Sequence, residues 1–217
     1  MFENVLLDYT KKNIEIITPI EFLEQFYLAG GTSCALRLGH RVSYDLDFFT
    51  GKRFDTLHLT RKLKNAGDFV IDYSDSETLT GKFNNTNISF IYYKYRLLKE
   101  CEHFLGLNLV SLEDIGCMKI EAISSRGKKR DFIDLYFILN ELQLDLAVFF
   151  QFYHKKYAGE NFNEVHILKS LTYFADADQN PDLNMLKPCE WETVKKFFIK
   201  QEAVLKYAID HGIQFKS

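Results

Sequence analysis

The chain has 217 residues, 47% hydrophobic and 15% aromatic, which is ample for an apolar core and excludes a disordered chain. A formal charge of −3 excludes coating of nucleic acid through bulk positive charge and leaves such contacts to local basic patches. The four cysteines (Cys34, Cys101, Cys117, Cys189) and the six histidines show no metal-ligand spacing, and no serine sits in a nucleophile elbow, so reduced thiols are expected and hydrolase readings lack support.

Residues 1–20 carry Glu3, Asp8 and Glu15 without a continuous apolar core, and no stretch approaches the ~18 apolar residues of a membrane span. A cytoplasmic protein with no membrane partner is expected. Thr18-Pro19-Ile20-Glu21 reads as a capping box with proline at the first helical position, opening a short helix through Gln25. Residues 26–29 read as a buried strand, Gly30-Gly31-Thr32 as a break, and residues 33–38 as a helix ended by Gly39. A strand at 46–50 and a helix from an Asp55 cap to Ala66, closed by Gly67, come next.

Strand-like runs at 69–73, 78–83 and 88–95 follow, the last two joined by a turn at Asn84-Asn85-Thr86-Asn87. Beyond Val110 the period becomes helical: a helix capped by Ser111, then 129–142, then Asp145 to Tyr157, then 162–174 and 190–211, with an acidic loop at 176–188. The expected fold class is therefore α+β. A small mixed-sheet domain at 1–110 precedes a helical bundle at 111–217, in which the aromatic run Phe149, Phe150, Phe152, Tyr153 serves as core.

Because strand side chains alternate, Asp45 and Asp47 should project to one side while Leu46 enters the core. Two carboxylates on one face repel unless a cation lies between them, and hard oxygen ligands suit Mg²⁺ shared with substrate phosphates. An isolated Asp-x-Asp is as often a solvated strand start. Here a glycine pair at a helix N-terminus, a place for a triphosphate, lies upstream with twelve residues between Thr32 and Asp45. Thr32 or Ser33 adds a hydroxyl, and Arg37, His40 and Arg41 lie between the two motifs with charge for phosphate.

Residues 26–32 (Phe-Tyr-Leu-Ala-Gly-Gly-Thr), Leu38-Gly39-His40-Arg41, Ser43 and residues 45–49 (Asp-Leu-Asp-Phe-Phe) resemble the opening motif of the AbiEii/AbiGii-type nucleotidyltransferases of the polymerase-β-like superfamily. Lys119-Ile120-Glu121-Ala122, Arg126 and residues 130–136 (Arg-Asp-Phe-Ile-Asp-Leu-Tyr) are similar to that family's second block. The resemblance implies a metal-dependent transfer of a nucleoside monophosphate from an NTP to an acceptor hydroxyl. It implies Mg²⁺ or Mn²⁺ on Asp45 and Asp47 and a nucleotide on Gly30, Gly31, Thr32, Ser33, Arg41 and Arg126. It also implies the setting of a toxin–antitoxin or phage-defence pair, with a cognate antitoxin and with tRNA or another RNA as acceptor.

Lys119 falls on the same side of its helix as Leu112, Ile115, Ala122 and Ile123, which makes it either a cation aimed at phosphate or one snorkelling at the core edge. Asp131 and Asp134, three apart, share one face and are expected either as salt-bridge partners of Lys119, Arg126 or Arg130, or as members of the site. The short basic run Lys128-Lys129-Arg130 reads as a solvated face or an RNA-backbone contact. The superfamily commonly adds a third carboxylate on a later strand, yet residues 87–93 hold no acid and Ser89 stands in its place. Asp134 is expected to substitute; a displaced alignment or weakened catalysis are the alternatives. Rival readings are nucleotidylation of a small molecule or a protein, and a nucleotide-binding module that has lost turnover.

Overall fold

The computed structural model describes residues 1–211, and the chain divides into two compact units, one ending at Ser111 and the next beginning at Leu112. Each is described by itself.

The first unit is built on one seven-stranded mixed sheet, in the order β3 (Phe69–Ser74), β4 (Thr78–Phe83), β5 (Thr86–Tyr92), β2 (Leu46–Thr50), β1 (Tyr27–Leu28), β7 (Leu107–Leu109), β6 (Glu102–Phe104). The α+β class inferred from the sequence is the observed one. Strand β2 is central: it runs antiparallel to β1 and parallel to β5, with Asp47 opposite Ser89 and Phe48 opposite Phe90. Alternation sends Leu46, Phe48, Ile88 and Phe90 into one buried cluster with Ile14, Ile17, Leu59 and Leu63 of helices α1 (Asp8–Ile17) and α3 (Thr56–Ala66). Asp45, Asp47, Asn87 and Ser89 are left on the opposite face.

Helix α1 was not legible in the sequence. Its buried positions, Thr10, Asn13, Ile14 and Ile17, have helical spacing, but half are polar. Asn13 belongs there because its amide donates to the carbonyls of Phe83 and Asn84 and to the Thr86 hydroxyl, at 2.7–3.1 Å. Thr18 consequently ends α1, its N–H bonded to the Ile14 carbonyl, rather than capping a new helix, and Glu21–Gln25 is only a 3-10 turn.

The expected four-residue turn is tighter than the sequence implied. Asn84 and Asn85 both adopt positive φ (41° and 69°), so Thr86 and Asn87 already belong to β5 and shift its start. The β6–β7 hairpin, turning at Leu105 and Gly106, escaped notice because three-residue strands carry no period.

Helix α2 spans Gly30–Leu38 and starts earlier than residue 33 because Gly30, at φ +62°, takes a left-handed entry open to glycine. Its end at Gly39 is also left-handed, and a Cβ there would lie 2.6 Å from the Phe2 ring.

The second unit packs α4 (Leu112–Arg126), α5 (Lys129–Leu142), α6 (Leu146–Lys156), α7 (Glu164–Leu171), α8 (Ala175–Asp178) and α9 (Trp191–Asp210). Phe149, Phe150 and Tyr153 are fully buried, and Phe132 packs edgewise on Trp191 and Phe198. Helix α7 is shorter than 162–174 because the Asn163 side chain caps it at the His166 N–H, and α8 forms inside the expected loop. The Lys156 ammonium meets Asp114 at 2.6 Å with both side chains fully buried, a pairing each charge requires to be tolerated there. No helix among the described residues is long and apolar enough to cross a membrane.

Gly39→Ala should destabilise the chain by about 1–3 kcal/mol, through positive φ and the clash with Phe2 together. Gly127→Ala, also at positive φ (+52°) but with its nearest neighbour at 3.7 Å, should cost less; urea midpoints of the two variants decide.

Candidate functional site

The β1–α2 turn and the start of β2 are joined through the backbone: the Ala29 N–H donates to the Asp47 carbonyl at 3.0 Å. That bond brings Gly30 under the Asp47 side chain, where a Cβ would stand 2.7 Å from Oδ2. Only glycine fits. Helix α2 opens with the N–H groups of Gly30 and Gly31, among those a helix leaves without intrahelical acceptors, and so presents its positive end on the side of Asp47.

Asp45 and Asp47 are both half-buried, flanking the fully buried Leu46, as alternation requires. Asp45 Oδ1 accepts a hydrogen bond from the Asn87 amide at 3.0 Å. Ser89 stands directly across from Asp47, half-buried and on the same face. One strand further out, Thr80 pairs with Ser89 and exposed Lys82 with Asn87. Asn87 and Lys82 were not singled out in the sequence, where nothing local marks them; only strand pairing brings them into the rows of Asp45 and Asp47.

Thr32 is buried, and its hydroxyl bonds to the Ser43 hydroxyl at 2.8 Å and to the Asp45 carbonyl. It therefore clamps the strand start to the helix. Ser33 is fully buried, its hydroxyl without a hydrogen-bond partner among the described residues. Arg41 is buried with its guanidinium over Gly31, in the space a Cβ would need, and one of its Nη atoms donates to the Val42 carbonyl at 3.1 Å. Arg37 lies elsewhere. Its guanidinium bonds to Glu102 and to the carbonyls of Leu109 and Val110, tying α2 to the β6–β7 hairpin.

In the second unit, Lys119 Nζ bridges Asp131 Oδ1 at 2.9 Å and Asp134 Oδ2 at 2.6 Å, while Arg126 meets Asp131 through Nε at 2.9 Å and Nη2 at 3.0 Å. Lys119 is 4% exposed and the two carboxylates 0%. Burial opposes the charge on Asp131, but the Lys119 ammonium and the Arg126 guanidinium outweigh it and hold its carboxyl below the ordinary range. These ion pairs tie the middle and end of α4 to the first turns of α5.

The chain thus has a sheet whose central strand sets paired carboxylates over a Gly-Gly helix start, the architecture of a nucleotidyltransferase-like protein. The family model for the nucleotidyl transferase AbiEii toxin of type IV toxin–antitoxin systems matches residues 17–99 and 88–203, and the chain belongs to this family of nucleotidyltransferases. It is 36% identical over 192 residues to an uncharacterised protein of Aquifex aeolicus, spanning 87% of this chain and 91% of the relative. Its fold is similar to the crystal structure of JHP933 from Helicobacter pylori (TM-score 0.52, 18% identity, 98% and 96% of the two chains covered). It is similar also to a putative nucleotidyltransferase from H. pylori (TM-score 0.52, 16% identity, 97% and 98% covered).

Asp131→Asn leaves Lys119 and Arg126 without their shared carboxylate, but Lys119 keeps Asp134 and Arg126 keeps water, so the cost should be about 1–3 kcal/mol at neutral pH. Since the folded-state pKa of Asp131 is depressed, its contribution is present above the unfolded carboxylate value near pH 4 and fades as pH falls through the folded value. The stability gap between wild type and variant, followed by urea unfolding, should therefore narrow below about pH 4.

Proposed function

We propose that the chain moves a nucleoside monophosphate from an NTP to an acceptor hydroxyl, with tRNA or another RNA as acceptor, Mg²⁺ or Mn²⁺ on Asp45 and Asp47, and a cognate antitoxin as its partner in the cell. In this reading residues 1–110 are the nucleotidyltransferase domain and residues 111–217 a helical bundle domain. The single observation that carries the proposal is the Asp47 carboxylate held over Gly30 with Asp45 on the same face.

These residues fit a divalent metal: two hard oxygen donors share a face, and the missing Cβ of Gly30 leaves room beside Oδ2. When bound, the metal supplies charge neutralisation on the phosphates and a lowered pKa for the attacking hydroxyl. The N–H groups of Gly30 and Gly31 receive phosphate oxygens, and Arg41 adds positive charge beside them. Thr32 acts indirectly, holding the Asp45 backbone in register with α2. The acceptor oxygen attacks the α-phosphorus, the bond to the β-phosphate breaks, and pyrophosphate leaves while the hydroxyl proton passes to a carboxylate or to water.

In the same reading Lys119 and Arg126 stabilise phosphate charge and Asp134 stands as third acid; their ion pairs with one another and with Asp131 support a structural role as the alternative. Ser89 beside Asp47 supports a second reading, nucleotide binding with weakened turnover, because the row where a third acid is sought has a hydroxyl instead.

Purified protein incubated with labelled NTPs, Mg²⁺ or Mn²⁺ and bulk tRNA should label the tRNA, and Asp47→Ala should lower the rate about a hundredfold or more. Label appearing on protein or a small molecule instead would move the acceptor; absence of both NTP binding and labelling would sink the proposal. Ser89→Asp should tighten Mn²⁺ binding about tenfold, read by calorimetry, since each added carboxylate raises the affinity of an oxygen site. Unchanged affinity would remove Ser89 from the metal row.

A further inference from the structure

A pocket of about 350 Å³ lies between the last turn of α4 and one face of α7, entirely within the second unit. One wall is Ser124, Ser125, Arg126 and Gly127; the other is His166, Lys169, Ser170 and Tyr173. His166, Lys169 and Ser170 lie three and four residues apart on one face of α7, and Tyr173 follows just past its end. We infer that this pocket is a second ligand site, which takes a phosphate and the neighbouring base of a single-stranded RNA; the inference rests on the reading that the acceptor is RNA.

The chemistry of the two walls is that of a phosphate site. Arg126 and Lys169 bring cations from opposite sides, and exposed Lys128 continues the positive track past Gly127. The Arg126 charge is shared with Asp131, which also holds Lys119, so Lys119, Arg126, Asp131 and Asp134 together are neutral. Lys169 and Asp176 balance in the lining, and exposed Lys128 beside it supplies the excess positive charge. The end of α4 would by itself repel an anion through its exposed carbonyls. His166 covers one of them: its Nε2 lies 3.1 Å from the Ser124 carbonyl, and since a carbonyl only accepts, this nitrogen carries the proton.

The Ser124 hydroxyl is buried in the same wall with no hydrogen-bond partner among the described residues, a donor in want of an acceptor. Ser170 donates its proton to the His166 carbonyl at 2.8 Å and Ser125 to that of Ala122 at 3.3 Å, so both present lone pairs outward. Such acceptors suit 2′-hydroxyl and base amino groups, as does Asp176, the one carboxylate in the lining. Tyr173 is 56% exposed, a free aromatic face on which a base can stack. Cations, acceptors and an exposed ring in one pocket of mixed polar and apolar lining match single-stranded RNA rather than an isolated phosphate.

The test uses the full chain, a fluorescent single-stranded RNA and anisotropy titrations at several salt concentrations. In Lys169→Glu with Tyr173→Ala, RNA affinity should fall about tenfold or more and the salt slope should flatten by about one unit. NTP binding, read separately by calorimetry, should be unchanged, and circular dichroism should report an intact fold. Inorganic phosphate should compete with the RNA only at millimolar concentration. Variant affinity within twofold of wild type, or a wild type that binds no RNA at low salt, would overturn the inference. Intact RNA binding without nucleotide transfer would instead overturn RNA as the acceptor of the reaction while leaving the pocket standing.

Discussion

Strand β2 is hydrogen-bonded along both edges, to β1 on one side and to β5 on the other, and its pleat divides two incompatible environments. Leu46 and Phe48 are committed to the core beneath α1 and α3, so Asp45 and Asp47 have no choice of side. A slip of one residue would bury two carboxylates and expose two large apolar groups, a change of many kcal/mol against the fold. The site is as well placed as the core is well packed, because the same alternation governs both.

The glycines then become intelligible as consequences of that placement. The bond from the Ala29 N–H to the Asp47 carbonyl forces the β1–α2 turn against the carboxylate, and the left-handed φ of Gly30 admits no ordinary side chain there. Gly31 lacks that backbone constraint; its missing Cβ is the space that the Arg41 guanidinium occupies. Thr32 closes the arrangement by bonding to the strand that bears Asp45. The turn, the helix start and the carboxylates are therefore one mechanical unit within the first half of the chain.

The second half has a different economy of charge. Lysines and aspartates that would be costly alone are buried as sets, Lys119 with Asp131 and Asp134 and Lys156 with Asp114, while the exposed Arg126 joins the first set from its rim. Such sets fix the register between helices, since each buried charge has its counter-charge on the neighbouring helix. They also explain why a lysine in an apolar stripe admitted two interpretations: its sequence position is the same whether it reaches for a ligand or for Asp131 and Asp134 on the following helix.

Read in one dimension, the chain was most legible where structure follows local rules. Strand β2, the Asp55 cap of α3, the Gly39 helix end, the side-by-side carboxylates and the helical second half all depend on alternation, capping or positive φ, and each is written in a few consecutive residues. Helix α1 was hidden because two polar residues, Thr10 and Asn13, occupy its buried stripe, Asn13 for the sake of a hairpin turn about seventy residues away. Asn87 and Lys82 near Asp45, the indirect part played by Thr32, the diversion of Arg37 to the β6–β7 hairpin and the ion-pair cluster around Asp131 are likewise pairings between distant segments. The sequence by itself determined the class of fold, the family motif and the face on which Asp45 and Asp47 lie; tertiary structure alone decided which side chains share that face and which charges are already neutralised, because strand register and helix packing are set by contacts that no local pattern encodes.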